Sequence, residues 1–166
     1  MMGELMRYLW ESMPVLIAAL VGTLGFAMLF KMKAKYLIYI SVCGFVSYGI
    51  YLSVLFLGYS EILAAFASAS FVAIASEILA RVLKAPTVIF TVVGIVPIVP
   101  GSALYYSMRN LLLRDIDGFF DSLKSACSIT AGIVFGIVAI SAIIKLLTSL
   151  KKKEQKRDRI RKDNKR

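Results

Sequence analysis

The sequence has no histidine, one tryptophan, two cysteines and four prolines in 166 residues, and charged side chains make up only 18% of it. Without histidine, a Ser-His-Asp triad, a histidine-ligated zinc and an imidazole general base are all excluded. Cys43 and Cys127 stand singly in apolar stretches, without the spacing of a metal site or a disulfide framework, and read as two buried small hydrophobes. No metal and no cofactor is expected. Soluble domains carry roughly 25% charged and about 45–50% apolar residues. Here the apolar share is 59% and the mean hydropathy +0.79. The surplus has to face lipid, which excludes a compact water-soluble enzyme.

What is present is a series of charge-free runs. Ser12–Phe30, Tyr36–Ser60, Ala85–Met108 and Ser125–Ile144 carry no charge, and Ile62–Leu83 is interrupted only by Glu77 and Arg81 near one end. About 20 apolar residues at ~1.5 Å rise cross a ~30 Å hydrocarbon core, so each run can span once. Apolar and polar positions do not alternate at period two, which argues against a barrel. The expected fold is an all-α integral membrane protein of five transmembrane helices, multi-pass in the cell (cytoplasmic) membrane. It divides into an external segment 1–11, a membrane domain 12–148 and a basic cytoplasmic tail 149–166. Glu4 and Glu11 flank the first run where a cleavable signal would carry bare positive charge, so that run reads as a retained helix.

Five spans put the termini on opposite sides. With the C-terminus inside, sixteen of the twenty Lys and Arg are cytoplasmic, and only Arg7, Arg109, Arg114 and Lys124 are external. The positive-inside rule therefore selects N-out, C-in. The tail is strongly basic but offers no aromatic for base stacking, so it reads as a topology anchor on anionic lipid and no nucleic-acid partner is expected. Arg109–Lys124 is amphipathic, with Leu112, Ile116, Phe119, Phe120 and Leu123 on one face. It reads either as an interfacial helix or as a helical extension with a turn at Gly118.

Membrane helices associate through small residues that let backbones approach. Gly132 and Gly136 form a GxxxG pair in the fifth run, Ala65, Ala69 and Ala73 recur every four residues in the third, and Ala18 and Gly22 pair in the first. Either these faces pack within the chain or some meet another chain.

The fourth run carries the strongest signal for chemistry. Pro97 and Pro100 each remove an N–H and clash with the carbonyl four residues back, so the helix is predicted to break near 97–101, close to the middle of the run. Irregular backbone at that depth is tolerated only inside protein or beside a wet cavity. Secondary transporters build sites from such breaks. The second half-helix, starting near Gly101 and Ser102, would aim N–H groups at a carboxylate. The carbonyls of Val93 to Val96 would suit an ammonium or a cation, with Thr91, Ser102, Tyr105 and Tyr106 nearby. The candidate substrate-binding set is Thr91, Pro97, Pro100, Gly101, Ser102 and Tyr105, against the alternative of a proline kink used only for packing. Glu77 is the only acid inside an apolar run. It reads either as a proton-coupling residue or as the i, i+4 partner of Arg81.

The segments Ala80-Arg81, Lys84-Ala85-Pro86-Thr87-Val88-Ile89-Phe90 and Pro97-Ile98-Val99-Pro100-Gly101-Ser102, followed by Tyr105 and Tyr106, resemble the threonine/serine exporter family, in particular its small, all-membrane (YjjB-like) component. The resemblance covers roughly residues 10–148 and leaves out the tail. It implies a proton-driven secondary exporter of small metabolites such as serine, threonine or, in related two-component systems, succinate. It also implies a partner, a larger five-span subunit with a cytosolic domain. No ligand assignment is carried over from the family. A non-transporting scaffold or regulatory subunit and a homo-oligomeric channel are the competing readings. An enzyme is not expected, because the spans hold one acid and no nucleophile–base pair.

Overall fold

A computed structural model describes residue 7 and residues 10–163, with backbone alone over 151–163. The described residues are helical and contain no strand. The elements are α1 (Met13–Leu29), α2 (Ala34–Phe56), α3 (Glu61–Leu83), α4 (Thr87–Gly94), a 3₁₀ turn (Val96–Ile98), α5 (Gly101–Leu112) and α6 (Ile116–Asp163). By length and composition, α2, α3 and the Ile116–Leu150 part of α6 can each cross a membrane. The α4 and α5 halves pass together as one broken span, and α1 is apolar but, at 17 residues, shorter. Large apolar side chains such as Ile17, Val21, Ile38, Val82, Phe135 and Val138 point away from the bundle. The chain is a multi-pass membrane protein.

The four reversals share one closure. Met32, Tyr59, Ala85 and Asp115 each donate their N–H to the carbonyl five residues back, on Ala27, Val54, Ala80 and Asn110. The residue before each donor, Lys31, Gly58, Lys84 or Arg114, takes the left-handed conformation. This is the helix C-terminal motif that glycine usually serves. Three of the four positions carry a cation instead, which complements the negative end of the helix it terminates.

α3 is the central helix, packed on α2, α4 and most extensively α6, while α1 rests on α2 and α5 on α6. Ala65, Ala69 and Ala73 on α3 are buried, as are Ala126, Ile129, Gly132, Ile133 and Gly136 on α6. A Cβ on Gly132 would press into the Ile62 carbonyl and stand 2.8 Å from the Ala65 Cβ. One on Gly136 would stand 2.8 Å from the Phe66 carbonyl oxygen. Position 132 thus faces 62–66 and position 136 faces 66–70, so the two helices run parallel. At the start of this seam Ser125 Oγ donates to Glu61 Oε2 at 2.6 Å. The small-residue faces of α3 and α6 are therefore used within the chain, whereas Ala18 and Gly22 on α1 face outward, with open space around Gly22.

Three expectations need correction. The 109–124 stretch is not a separate interfacial helix, because Arg114 at φ 59° turns the chain between α5 and α6. The turn is not at Gly118, whose N–H is capped by Asp115 Oδ1 at 3.1 Å within the first turn of α6. Of the two cysteines only Cys43 is buried; Cys127 lies off the inward stripe of α6 and is exposed.

Candidate functional site

The Thr87–Leu112 span breaks where its prolines require. α4 ends at Gly94, where a Cβ would stand 2.8 Å from Val72 Cγ1, so the helix seats closely on α3 up to that point. The chain then tightens into the 3₁₀ turn, with Ile98 N–H donating to Ile95 O at 2.9 Å and Val99 N–H to Val96 O at 3.3 Å. Gly101 N–H donates to Val99 O at 2.7 Å, and α5 starts there, bent 52° from the first half. The expected free carbonyl at Val96 is therefore already engaged, because the 3₁₀ turn supplies a donor that an α-helix ending at proline would lack.

The helix that follows the break faces outward. Pro100 is buried and Pro97 half-buried, but Gly101, Ser102, Tyr105 and Tyr106 are exposed on one face of α5. A Cβ on Gly101 would meet nothing within 4 Å. The two tyrosine rings meet edge to face, 5.5 Å between centroids.

Thr91 and Glu77 belong to a different place. The α3–α6 pair is tight at its small-residue end, and from Ala73 onward a gap lies between the two helices. The gap, flanked by α4, is a groove of about 820 Å³ lined by residues from all three helices, among them Glu77, Thr87, Thr91, Ser141, Lys145 and Thr148. Its volume lies within the roughly 300–1,000 Å³ of small-molecule sites. Arg81 holds Glu77 Oε1 through Nη2 at 2.8 Å and Nε at 3.0 Å, and Thr87 Oγ1 donates to Glu77 Oε2 at 3.2 Å. The i, i+4 pair with Arg81 is thus formed, and the same carboxylate also ties α4 to α3. Thr91 and Thr148 donate to the carbonyls of Thr87 and Ile144 in their own helices. Among the described residues no acid pairs with Lys145, and the Ser141 hydroxyl has no hydrogen-bond partner.

The sequence-derived candidates therefore separate into two groups. Pro97, Pro100, Gly101, Ser102 and Tyr105 form the break and its outer face, while Thr91 and Glu77 line the groove. Gly132 and Gly136 line neither and seat α6 on α3. Thr87, Ser141, Lys145 and Thr148 were not singled out in advance. The spacing of Ser141, Lys145 and Thr148, at i, i+4 and i+7 on an otherwise apolar helix, is the pattern that marks one polar face.

No solved structure matches the chain significantly. Residues 15–143, more than three quarters of the sequence, match the family described as threonine/serine exporter, ThrE. The match takes in α1 from Val15, α2 to α5, the break, and α6 as far as Ile143. With its apolar helices and a broken span, the chain belongs to the threonine/serine exporter family, a family of membrane exporters.

Proposed function

We propose that this chain is the small subunit of a two-component exporter of small carboxylate-bearing metabolites, either serine/threonine-like amino acids or a dicarboxylate such as succinate. Counting α1, the chain spans the cytoplasmic membrane five times, N-out and C-in. Its partner is a larger five-span subunit with a cytosolic domain, and export is driven by the proton gradient. The observation that carries the two-component reading is the outward face of the break. Gly101, Ser102, Tyr105 and Tyr106 are uncovered by the rest of this chain. Gly101 and Ser102 stand in the first turn of α5, whose leading N–H groups lack partners within the helix and at membrane depth need protein or water beside them, not lipid. A second set of helices laid against this face would enclose the break and complete a pathway between two halves.

The test is counterflow of radiolabelled serine, threonine and succinate in vesicles carrying this chain, the larger subunit, or both. Transport is expected only with both, and also from a fusion in the order large-then-small. Saturable export by this chain alone would replace the two-component reading with a homo-oligomer.

A further inference from the structure

The groove between α3, α4 and α6 carries opposite charges on two of its walls. Glu77 on α3 and Lys145 on α6 both line it, together with Thr87, Thr91 and Ser141 in an apolar surround of Ala73, Val92 and Ile137. An ionised carboxylate offers about four acceptor positions. Arg81 supplies two donors to Glu77 and Thr87 one, which leaves a single position, on Oε2. Thr87 and Arg81 fix the rotamer of Glu77, so that position is held rather than swept through the groove. Lys145 brings three donors and no acceptor. Two isolated like charges would recruit a doubly charged ligand; one acid and one base facing a shared cavity instead match a ligand that is itself a zwitterion.

We infer that this groove is an α-amino-acid site, in which Glu77 Oε2 accepts the ligand's ammonium, Lys145 Nζ holds its carboxylate, and the Ser141 hydroxyl meets a side-chain hydroxyl. This deepens, and rests on, the exporter reading, and it chooses amino acids over dicarboxylates. A dicarboxylate at the same place would pair one end with Lys145 and bring the other, an acceptor only, against the one free acceptor position of Glu77, where no hydrogen bond can form. The site lies wholly within this chain and is separate from the outward face of the break, so binding to it does not require the larger subunit. Ser141 is one turn from Lys145, on the same face of α6, which sets a hydroxyl probe at a fixed distance from the carboxylate anchor.

The experiment is equilibrium binding of radiolabelled L-serine to the purified full-length chain in lipid nanodiscs. Competitors are L-threonine, L-alanine, L-serine methyl ester, glycerate and succinate. The methyl ester lacks the carboxylate and glycerate the ammonium. L-Threonine is expected to compete as well as L-serine, and the methyl ester, glycerate and succinate at least about tenfold more weakly, as the loss of one charge-assisted contact implies. Lys145→Gln should erase the preference for serine over its methyl ester, and Lys145→Arg should retain it. Glu77→Gln should erase the preference over glycerate. Ser141→Ala should bring alanine level with serine. A purely structural role for these residues would lower all affinities together and leave the ratios unmoved, which overturns the assignment. Absence of serine binding, or succinate binding as strongly as serine, also overturns it. The exporter reading is decided separately by counterflow with the larger subunit.

Discussion

The hydroxyl of Thr87 in the first turn of α4 donates to Glu77 Oε2 on α3 at 3.2 Å, so the one acid inside an apolar span is also the clasp between two helices. Thr87→Val keeps the shape and removes the donor. A hydrogen bond to a charged group contributes about 1.5–3 kcal/mol, and the partial exposure of Glu77 puts this one near the lower end. A lowered thermal midpoint in detergent is expected for Thr87→Val and a near-native one for Thr87→Ser. Equal midpoints for the wild type and Thr87→Val would show that the clasp contributes nothing.

Glu77→Gln separates the two roles proposed for this side chain. Three donor hydrogen bonds already occupy the carboxylate, the arrangement of a fixed anchor. Export by Glu77→Gln, assayed with the larger subunit, is therefore expected to keep its dependence on an imposed pH gradient while its half-saturating amino-acid concentration rises about tenfold or more. Loss of the pH-gradient dependence would instead make Glu77 the proton carrier.

Gly132→Leu and Gly136→Leu are expected to destabilise the chain itself, since a bulky side chain there drives α6 off the α3 backbone. Overpacking of this kind costs about 1–3 kcal/mol or more. The readout is monodispersity and thermal midpoint of the purified chain. Gly22→Leu has open space around it and should leave both unchanged. If Gly22→Leu nevertheless lowers co-purification with the larger subunit, the α1 face is part of that contact.

The positions of the apolar helices were legible because charge-free runs and membrane thickness are both one-dimensional quantities. So was the break, since Pro97 and Pro100 act on their own backbone. The groove was not. Lys145 reads from sequence as one more cytoplasmic charge, and Thr87 as a residue after a proline. Lys145 shares the groove with Glu77 only because α3 and α6 lie parallel, in the register set by Gly132 against Ile62 and Ala65, and Thr87 reaches Glu77 because α4 packs on α3. Nothing local to any of the three residues encodes that register. The outward orientation of Gly101 and Tyr105 was illegible for the same reason: a proline break dictates that a helix bends, while packing of α5 on α6 dictates which way.

Gly101→Leu is expected to abolish export while the chain remains folded in the membrane. Within this chain a side chain at 101 meets nothing, so any loss reports on what covers the break in the complex. Ser102→Ala should be milder, because the backbone donors remain. Normal export by Gly101→Leu at wild-type half-saturation would remove the break from the pathway.

Terminal reporter fusions test the orientation. A cytoplasm-only reporter should be active after Arg166, and a periplasm-only reporter active ahead of Met1, as the distribution of basic residues requires. Activity of the periplasm-only reporter at the C-terminus would reverse the topology.

The close seating of Gly132 and Gly136 on α3 gives the α3–α6 pair a fulcrum at one end and a lever arm at the other. At ~1.5 Å per residue, Lys145 lies roughly 20 Å along α6 from Gly132. Turning α6 by about ten degrees about that contact would carry the lysine roughly 3–4 Å toward or away from Glu77, on the order of the difference between a gripped ligand and a released one. The glycines far from the polar residues thus set the leverage with which any turn of α6 would move the groove's charged wall.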